Sequence, residues 1–278
     1  VEPQARRAGR PPQDASRRLE RAHRILDIAG DLILRWGYDK TTIDDIARRA
    51  GVAKGTIYLH WRTREELFAA LLRRERVEML SQVRLRVAEG PGTLRDLLGL
   101  LASELLRRPL MRASLLGDSK VLGKLTRLKR SSGAAADLPT GFETYLGALL
   151  RLGALRADLT PAEHVVALAS VLYGFLLVPQ MMPEGYALPD ERLAELLADA
   201  GSRAVAAGGP VPAGNARAIS RATLEFADLA VETAQRKLRA SLGSEEPGKP
   251  EKSGTSGASG KSVTGPEKSA TSLEENAT

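Results

Sequence analysis

The chain has 278 residues, of which 43% are hydrophobic and only 4% aromatic, and it carries a formal net charge of +7 at pH 7. There is no cysteine, which excludes disulfides, Cys-ligated zinc, iron–sulfur clusters and a thiol nucleophile, and fits a reducing cytoplasm. The length allows two packed units, and a basic balance suits a polyanionic partner.

Residues 1–16, with Pro3, Gly9, Pro11 and Pro12 among arginines, read as a flexible basic arm whose Arg6, Arg7 and Arg10 can enter a minor groove. Asp14 or Ser16 is the expected cap of a first helix that runs to Trp36, with Ala22, Ile25, Ala29, Leu32, Ile33 and Trp36 on one apolar stripe. Gly37 stops it. Thr42 caps a short second helix with Ile43, Ile46, Ala47 and Ala50 inward and Asp44 and Asp45 in its first turn, where the helix dipole favours acids. Gly51 breaks the chain. A third helix is predicted over Lys54–Trp61, burying Ile57 and Trp61. Thr63 and Glu66 form a capping box that opens a long helix carrying Leu67, Phe68, Leu71, Leu72, Met79 and Val83.

From Gly90 the pattern stays helical, with breaks at Pro91-Gly92, Pro109, Gly117, 131–133, Pro139, Gly153, Pro161, Pro179, Pro183, Pro189 and 208–214. The segment Val165–Val178 is the most apolar and is expected to be buried. Two amphipathic helices follow over 190–206 and 216–241. No run of period two is long enough to predict a strand. No apolar run is expected to approach the ~18 residues of a membrane span, and the N-terminus lacks the apolar stretch of a signal peptide. Residues 243–278, rich in Gly, Ser, Lys and Glu, read as disordered, with six acids against four lysines. The expected fold is all-α. A helix-turn-helix domain over 17–63 precedes a helical ligand-binding and dimerisation domain over 64–242.

Charge is concentrated at the front. Residues 1–64 hold fourteen basic and eight acidic side chains, an excess of six that is most of the chain's surplus. The informative stretch is TTIDDIARRAGVAKGTIYLHWRTREEL, Thr41 to Leu67. Two short helices meet at a glycine, with small apolar inner residues (Ala47, Ala50, Ala53) that allow a close crossing. The second helix of such a pair lies in the DNA major groove. Its outer face offers Lys54, Gly55, Thr56, Tyr58, Leu59 and His60. Thr42, Thr56, Tyr58 and His60 are candidate phosphate donors. Arg64 adds charge at a helix N-terminus that already attracts phosphate. Lys54 is the candidate base-edge contact to guanine, Leu59 faces a thymine methyl, and Gly55 permits close approach.

GYDKTTIDDIA, AGVAKGTIY and TREEL together resemble the N-terminal domain of the TetR family of bacterial repressors, over roughly Ile25 to Leu72. GALRADLTP, Gly153 to Pro161, resembles a segment before that family's penultimate helix. The resemblance implies three DNA-binding helices, a helical ligand-binding domain, a homodimer, and DNA contacts at Thr42, Lys54, Thr56, Tyr58, His60 and Arg64. Ala53 departs from the Ser or Thr that commonly caps the recognition helix; Trp61 and Arg62 depart from the usual Phe and Pro.

Met111, Phe142, Tyr145 and Tyr173 are the candidate lining of a pocket for an unknown small-molecule effector, since apolar cavities between helices are the default ligand sites. Phe175, Met181 and Met182 are weaker candidates for the same lining. His164, at a helix start, is expected to be exposed. His23, His60 and His164 show no metal-ligand spacing, and no catalytic or cofactor motif stands out. The expected partners are a palindromic double-stranded operator, a second copy meeting the first through the 162–178 and 190–206 helices, and the effector; no membrane partner is expected. An effector-independent DNA-binding activator or architectural factor is the alternative, ahead of a basic all-α enzyme.

Overall fold

A computed structural model describes residues 12–123 and 141–242. The expected arm arginines Arg6, Arg7 and Arg10, the breaks at 131–133 and Pro139, and the tail 243–278 lie outside the described residues. Within them the secondary structure is helices, short 3-10 turns and one isolated antiparallel bridge between Leu155 and Ala206.

Eleven helices are described. The N-terminal four are α1 (Pro12–Trp36), α2 (Ile43–Ala50), α3 (Lys54–Tyr58) and α4 (Arg64–Glu89). The remainder are α5 (Leu94–Leu106), α6 (Pro109–Leu116), α7 (Ser119–Leu122), α8 (Phe142–Arg151), α9 (Pro161–Leu177), α10 (Asp190–Val205) and α11 (Ala216–Ser241). Several starts are written in the sequence. Thr42, Thr93 and Thr160 each accept from the backbone N–H three residues on, and the acid there reaches back to the cap, as in a capping box. At α4 the box is displaced: Thr63 accepts from Glu66 N–H, but the Glu66 carboxylate accepts from Arg62 N–H at 2.7 Å.

Two apolar cores form. The first joins the buried stripe of α1 (Ala22, Ile25, Ala29, Leu32) with Ile46 of α2, Ile57, Trp61 and the first turns of α4. The second lies between the far half of α4 and helices α5, α8, α9 and α10. Three helices feed both. From α4, Leu67 to Leu71 enter the first core while Met79, Val83 and Val87 enter the second. From α6, Leu110 goes one way and Met111 the other. From α11, Ile219 and Phe226 go to the second core, Leu238 and Leu242 to the first. The N-terminal core therefore does not close at residue 63; it borrows from α4, α6 and α11.

Six expectations are corrected. α1 begins at Pro12, so residues 12–16 are helical; proline suits a first turn, whose N–H groups have no helical acceptor. Trp36 is 44% exposed, because the helix ends there and Tyr38, two residues on and 1% exposed, takes the core position. α3 stops at Tyr58; His60 and Trp61 N–H both turn back to the Ile57 carbonyl. His164 is buried, with Nδ1 3.0 Å from the Thr160 carbonyl, because the first turn of α9 faces the protein. The segment around α9 is largely uncovered: only His164, Leu168 and Leu176 of the helix are buried, while Val166, Leu177, Val178 and Met181 are exposed. α9 is apolar on every side but has helices on one side only. Contrary to the sequence expectation, Pro161–Met181 is also long and apolar enough to cross a membrane by length and composition, its charge being confined to the first turn.

Candidate DNA-binding site

The candidate reading head is α2, the turn at Gly51, and α3. Gly51 has φ 66° and sits where the chain must reverse. A left-handed backbone suits glycine, and its N–H and that of Val52 close onto the Arg48 and Ala47 carbonyls. Ala53, the residue before α3, has extended backbone and no side-chain cap, so no side chain accepts from the first N–H groups of the helix, while Thr56 N–H turns to the Ala53 carbonyl at 2.9 Å. Ile57, fully buried, holds α3 against α2 and α1. The rest of α3 faces outward.

Tyr58 is 44% and Leu59 74% exposed, large apolar surfaces at the end of the recognition helix. Gly55 is equally open: a Cβ built on it would meet no atom within 4 Å. Lys54 Nζ lies 2.8 Å from Asp44 Oδ2 on α2, and that hydrogen bond raises the ammonium's pKa. Both partners are half-exposed or more, so the pair is worth little to stability. Thr56 is half-buried. Thr42, exposed, is occupied by its own cap: its hydroxyl donates to Asp45 Oδ2 at 2.6 Å and accepts from Asp45 N–H at 3.1 Å.

His60 is half-buried, its ring 5.2 Å from that of Trp61, and its Nδ1 is buried without a partner. Burial, then the positive charges of Arg18 and Arg21, hold its pKa below the usual imidazole value. Arg64 points inward. Its guanidinium lies 4.0 Å over the Tyr38 ring and donates to the Thr41 carbonyl at 3.1 Å. Tyr38 O–H donates to Glu65 Oε1 at 2.8 Å, and burial pushes the phenol's pKa up to about 12. Arg64 thus pins the α1–α2 turn to α4.

Lys54, Gly55, Tyr58 and Leu59 are all exposed along and just after α3, and Thr42 is exposed at the start of α2; Thr56, Arg64 and His60 are half-withdrawn. Sequence reasoning missed Arg18, which donates to the Leu59 carbonyl at 3.4 Å and brings the start of α1 beside the end of α3. It also missed Asp44 as the partner of Lys54. The acid at the second helical position was legible as a dipole partner, but not as a neighbour ten residues away.

Three of the four effector candidates, Met111, Phe142 and Tyr145, fall in or against the second core. Tyr145 on α8 stacks on Phe226 of α11, ring centres 5.0 Å apart, and Phe142 lies 5.6 Å from Phe226. Thr223 Oγ1 donates to the Ile219 carbonyl, leaving Tyr145 O–H to donate to Thr223 at 3.0 Å. Burial pushes the Tyr145 pKa up to about 12. Met111 belongs to the same core. Tyr173, half-buried on α9, is not among the side chains packed against it; Phe226, missed in the sequence, is part of it, and Thr223, also missed, is buried beside Tyr145 as its hydroxyl partner. Among the described residues, no group of three or more His, Cys, Asp or Glu is placed to hold a metal ion.

Residues 25–71 match the family model for bacterial regulatory proteins of the tetR family. The chain is 37% identical over 79 residues to the HTH-type transcriptional activator FasR of Mycolicibacterium smegmatis, covering 28% of this chain and 34% of that protein. It is 34% identical over 80 residues to the HTH-type transcriptional repressor KstR2 of Rhodococcus jostii, 29% and 39% of the two chains. The match thus spans less than half the length of these curated relatives. The solved structure of a SmeT–triclosan complex shares the fold, with a TM-score of 0.53 and 24% identity over 70% of this chain and 96% of that one.

Proposed function

We propose that this chain, which belongs to the tetR family of bacterial regulatory proteins through its residues 25–71, is a cytoplasmic, homodimeric transcriptional repressor that binds a palindromic operator and is released by a small molecule. The observation that carries the reading is the outward face of α3. Gly55 leaves open space where a Cβ would stand, Tyr58 and Leu59 expose large side chains beside it, and a glycine in a helix costs stability that a close external approach would repay.

In this reading Lys54 leaves Asp44 to reach a guanine edge and Leu59 meets a thymine methyl. Thr42, Thr56, Tyr58, His60 and Arg64 hold phosphates and set the register. The uncovered side of α9, with its neighbour α10, is the surface for the second copy, and two recognition helices about one DNA turn apart (~35 Å) fit a palindrome. The effector occupies the core around Met111, Phe142 and Tyr145, with Tyr173 at its margin, and acts by preferring a spacing the DNA does not. An activator is the second reading, since FasR, a relative at 37% identity, is named one.

Analytical ultracentrifugation at micromolar concentration tests the dimer; a monomer sinks it. Reporter expression from the chain's own upstream region, with and without the chain, separates the readings: repression predicts higher output on deletion, activation lower.

A further inference from the structure

α11 lies antiparallel along α4 and touches both cores. Ser220 Oγ donates to the Pro91 carbonyl beyond one end of α4, Asp228 Oδ1 accepts from Arg84 Nε at 2.7 Å in its far half, and Ser241 Oγ accepts from Arg73 near the reading head. The buried stripe of α11 is bulky at its ends and small between. Ile219 and Phe226 anchor it beside Tyr145, Leu238 and Leu242 anchor it in the N-terminal core, and Ala227, Ala230 and Ala234 fill the middle. Alanines bring two helices close without interdigitating large side chains, so this seam resists axial sliding less than a seam of leucines does. The ties across it at Arg84 and Asp228 are exposed and soft.

We infer that α11 is the strut that carries a displacement at the Tyr145–Phe226 stack to the reading head, through Leu238 and Leu242 in the N-terminal core. The inference rests on the regulatory part of the function proposed above. From Phe226 to Leu238 the helix spans about 18 Å at ~1.5 Å per residue. A rigid helix moves both ends together. Widening the stack pushes or turns α11, and its far end shifts the packing of α1 against α4.

The test is backbone hydrogen exchange of the full-length chain at pH 7, without DNA or effector, so it fails or succeeds independently of DNA binding. Phe226→Ala opens the stack; Thr223→Val, which only removes the partner of Tyr145, repeats the comparison if the first variant does not fold. The expected result is exchange at least threefold faster at Ala22–Ile33 and Leu238–Leu242, with Leu193–Val205 unchanged. Because the chain has no cysteine, Arg84→Cys with Asp228→Cys supplies a single oxidisable pair across the seam. Oxidation should cancel the acceleration in α1, and reduction should restore it. Acceleration confined to the residues around the stack overturns the inference, as does acceleration spread evenly to Leu193–Val205, or indifference to the oxidised pair.

Discussion

Gly55→Ala separates folding from DNA reading at one methyl group. Gly55 lies in α3 with a right-handed backbone, and the added Cβ meets no atom within 4 Å. Nothing in the chain opposes the methyl, so the variant gains the chain-entropy advantage of alanine over glycine, about 0.4–1 kcal/mol. For a chain of this size that raises Tm by about 1–4 °C. If the face approaches DNA, the same methyl stands between backbone and phosphate or base edge. A loss of about tenfold, ~1.4 kcal/mol, is then expected in DNA affinity. Thermal denaturation followed by helix ellipticity gives the first number. Fluorescence anisotropy with a duplex selected by the wild-type chain gives the second. A higher Tm with unchanged affinity refutes the reasoning, since it leaves α3 an ordinary surface helix. A lower Tm refutes the local geometry instead.

Lys54→Ala is expected to cost roughly 1–3 kcal/mol and relax preference at one operator position; if it only lowers the salt slope by about one, Lys54 holds a phosphate. Thr56 N–H already bonds the Ala53 carbonyl at 2.9 Å, so Ala53→Ser caps mainly the Gly55 N–H and should stabilise the chain by about 0.5–1 kcal/mol in urea melts; no gain would show that the start of α3 needs no side-chain cap. His60 is held below its unfolded pKa, so the unfolded chain binds the extra proton first and stability falls as pH drops below about 6.5. His60→Gln should flatten urea stability between pH 7.5 and 5.5; an unchanged slope removes His60 as the cause. Tyr145→Phe leaves Thr223 bonded to the Ile219 carbonyl and should cost only about 1 kcal/mol. A loss several times larger in urea melts means the hydroxyl holds more than Thr223.

The reading head was legible because its rules are local. Thr42 with Asp45 three residues on, Gly51 at the reversal, and Ile43, Ile46 and Ala47 at helical spacing are patterns within ten residues, and the structure follows them. The uncapped start of α3 was legible for the same reason: Ala53 has no side-chain acceptor. What sequence could not show is contact across distance. Arg74, buried and paired with Asp27 at 2.7 Å, looks in sequence like any other arginine of a charged helix. Leu238 and Leu242 read as the end of an amphipathic helix, and nothing local says that they complete the core of α1. His164 was misread because a helix start is usually at the surface, whereas this one turns its first ring inward. The exposure of α9 was misread because hydrophobicity predicts burial without saying by what. A helix apolar all round but packed on one side leaves apolar surface exposed on the other.

Selection of bound duplexes from a random-sequence pool by the full-length chain tests the central claim most directly. The account predicts enrichment of an inverted repeat whose two halves lie about one helical turn apart, ~10 bp centre to centre, or a multiple of that. It also predicts that Gly55→Ala weakens binding to the enriched site. A pool that stays random through successive rounds, or an enriched site bound equally well when Lys54, Gly55 and Tyr58 are replaced, would contradict it.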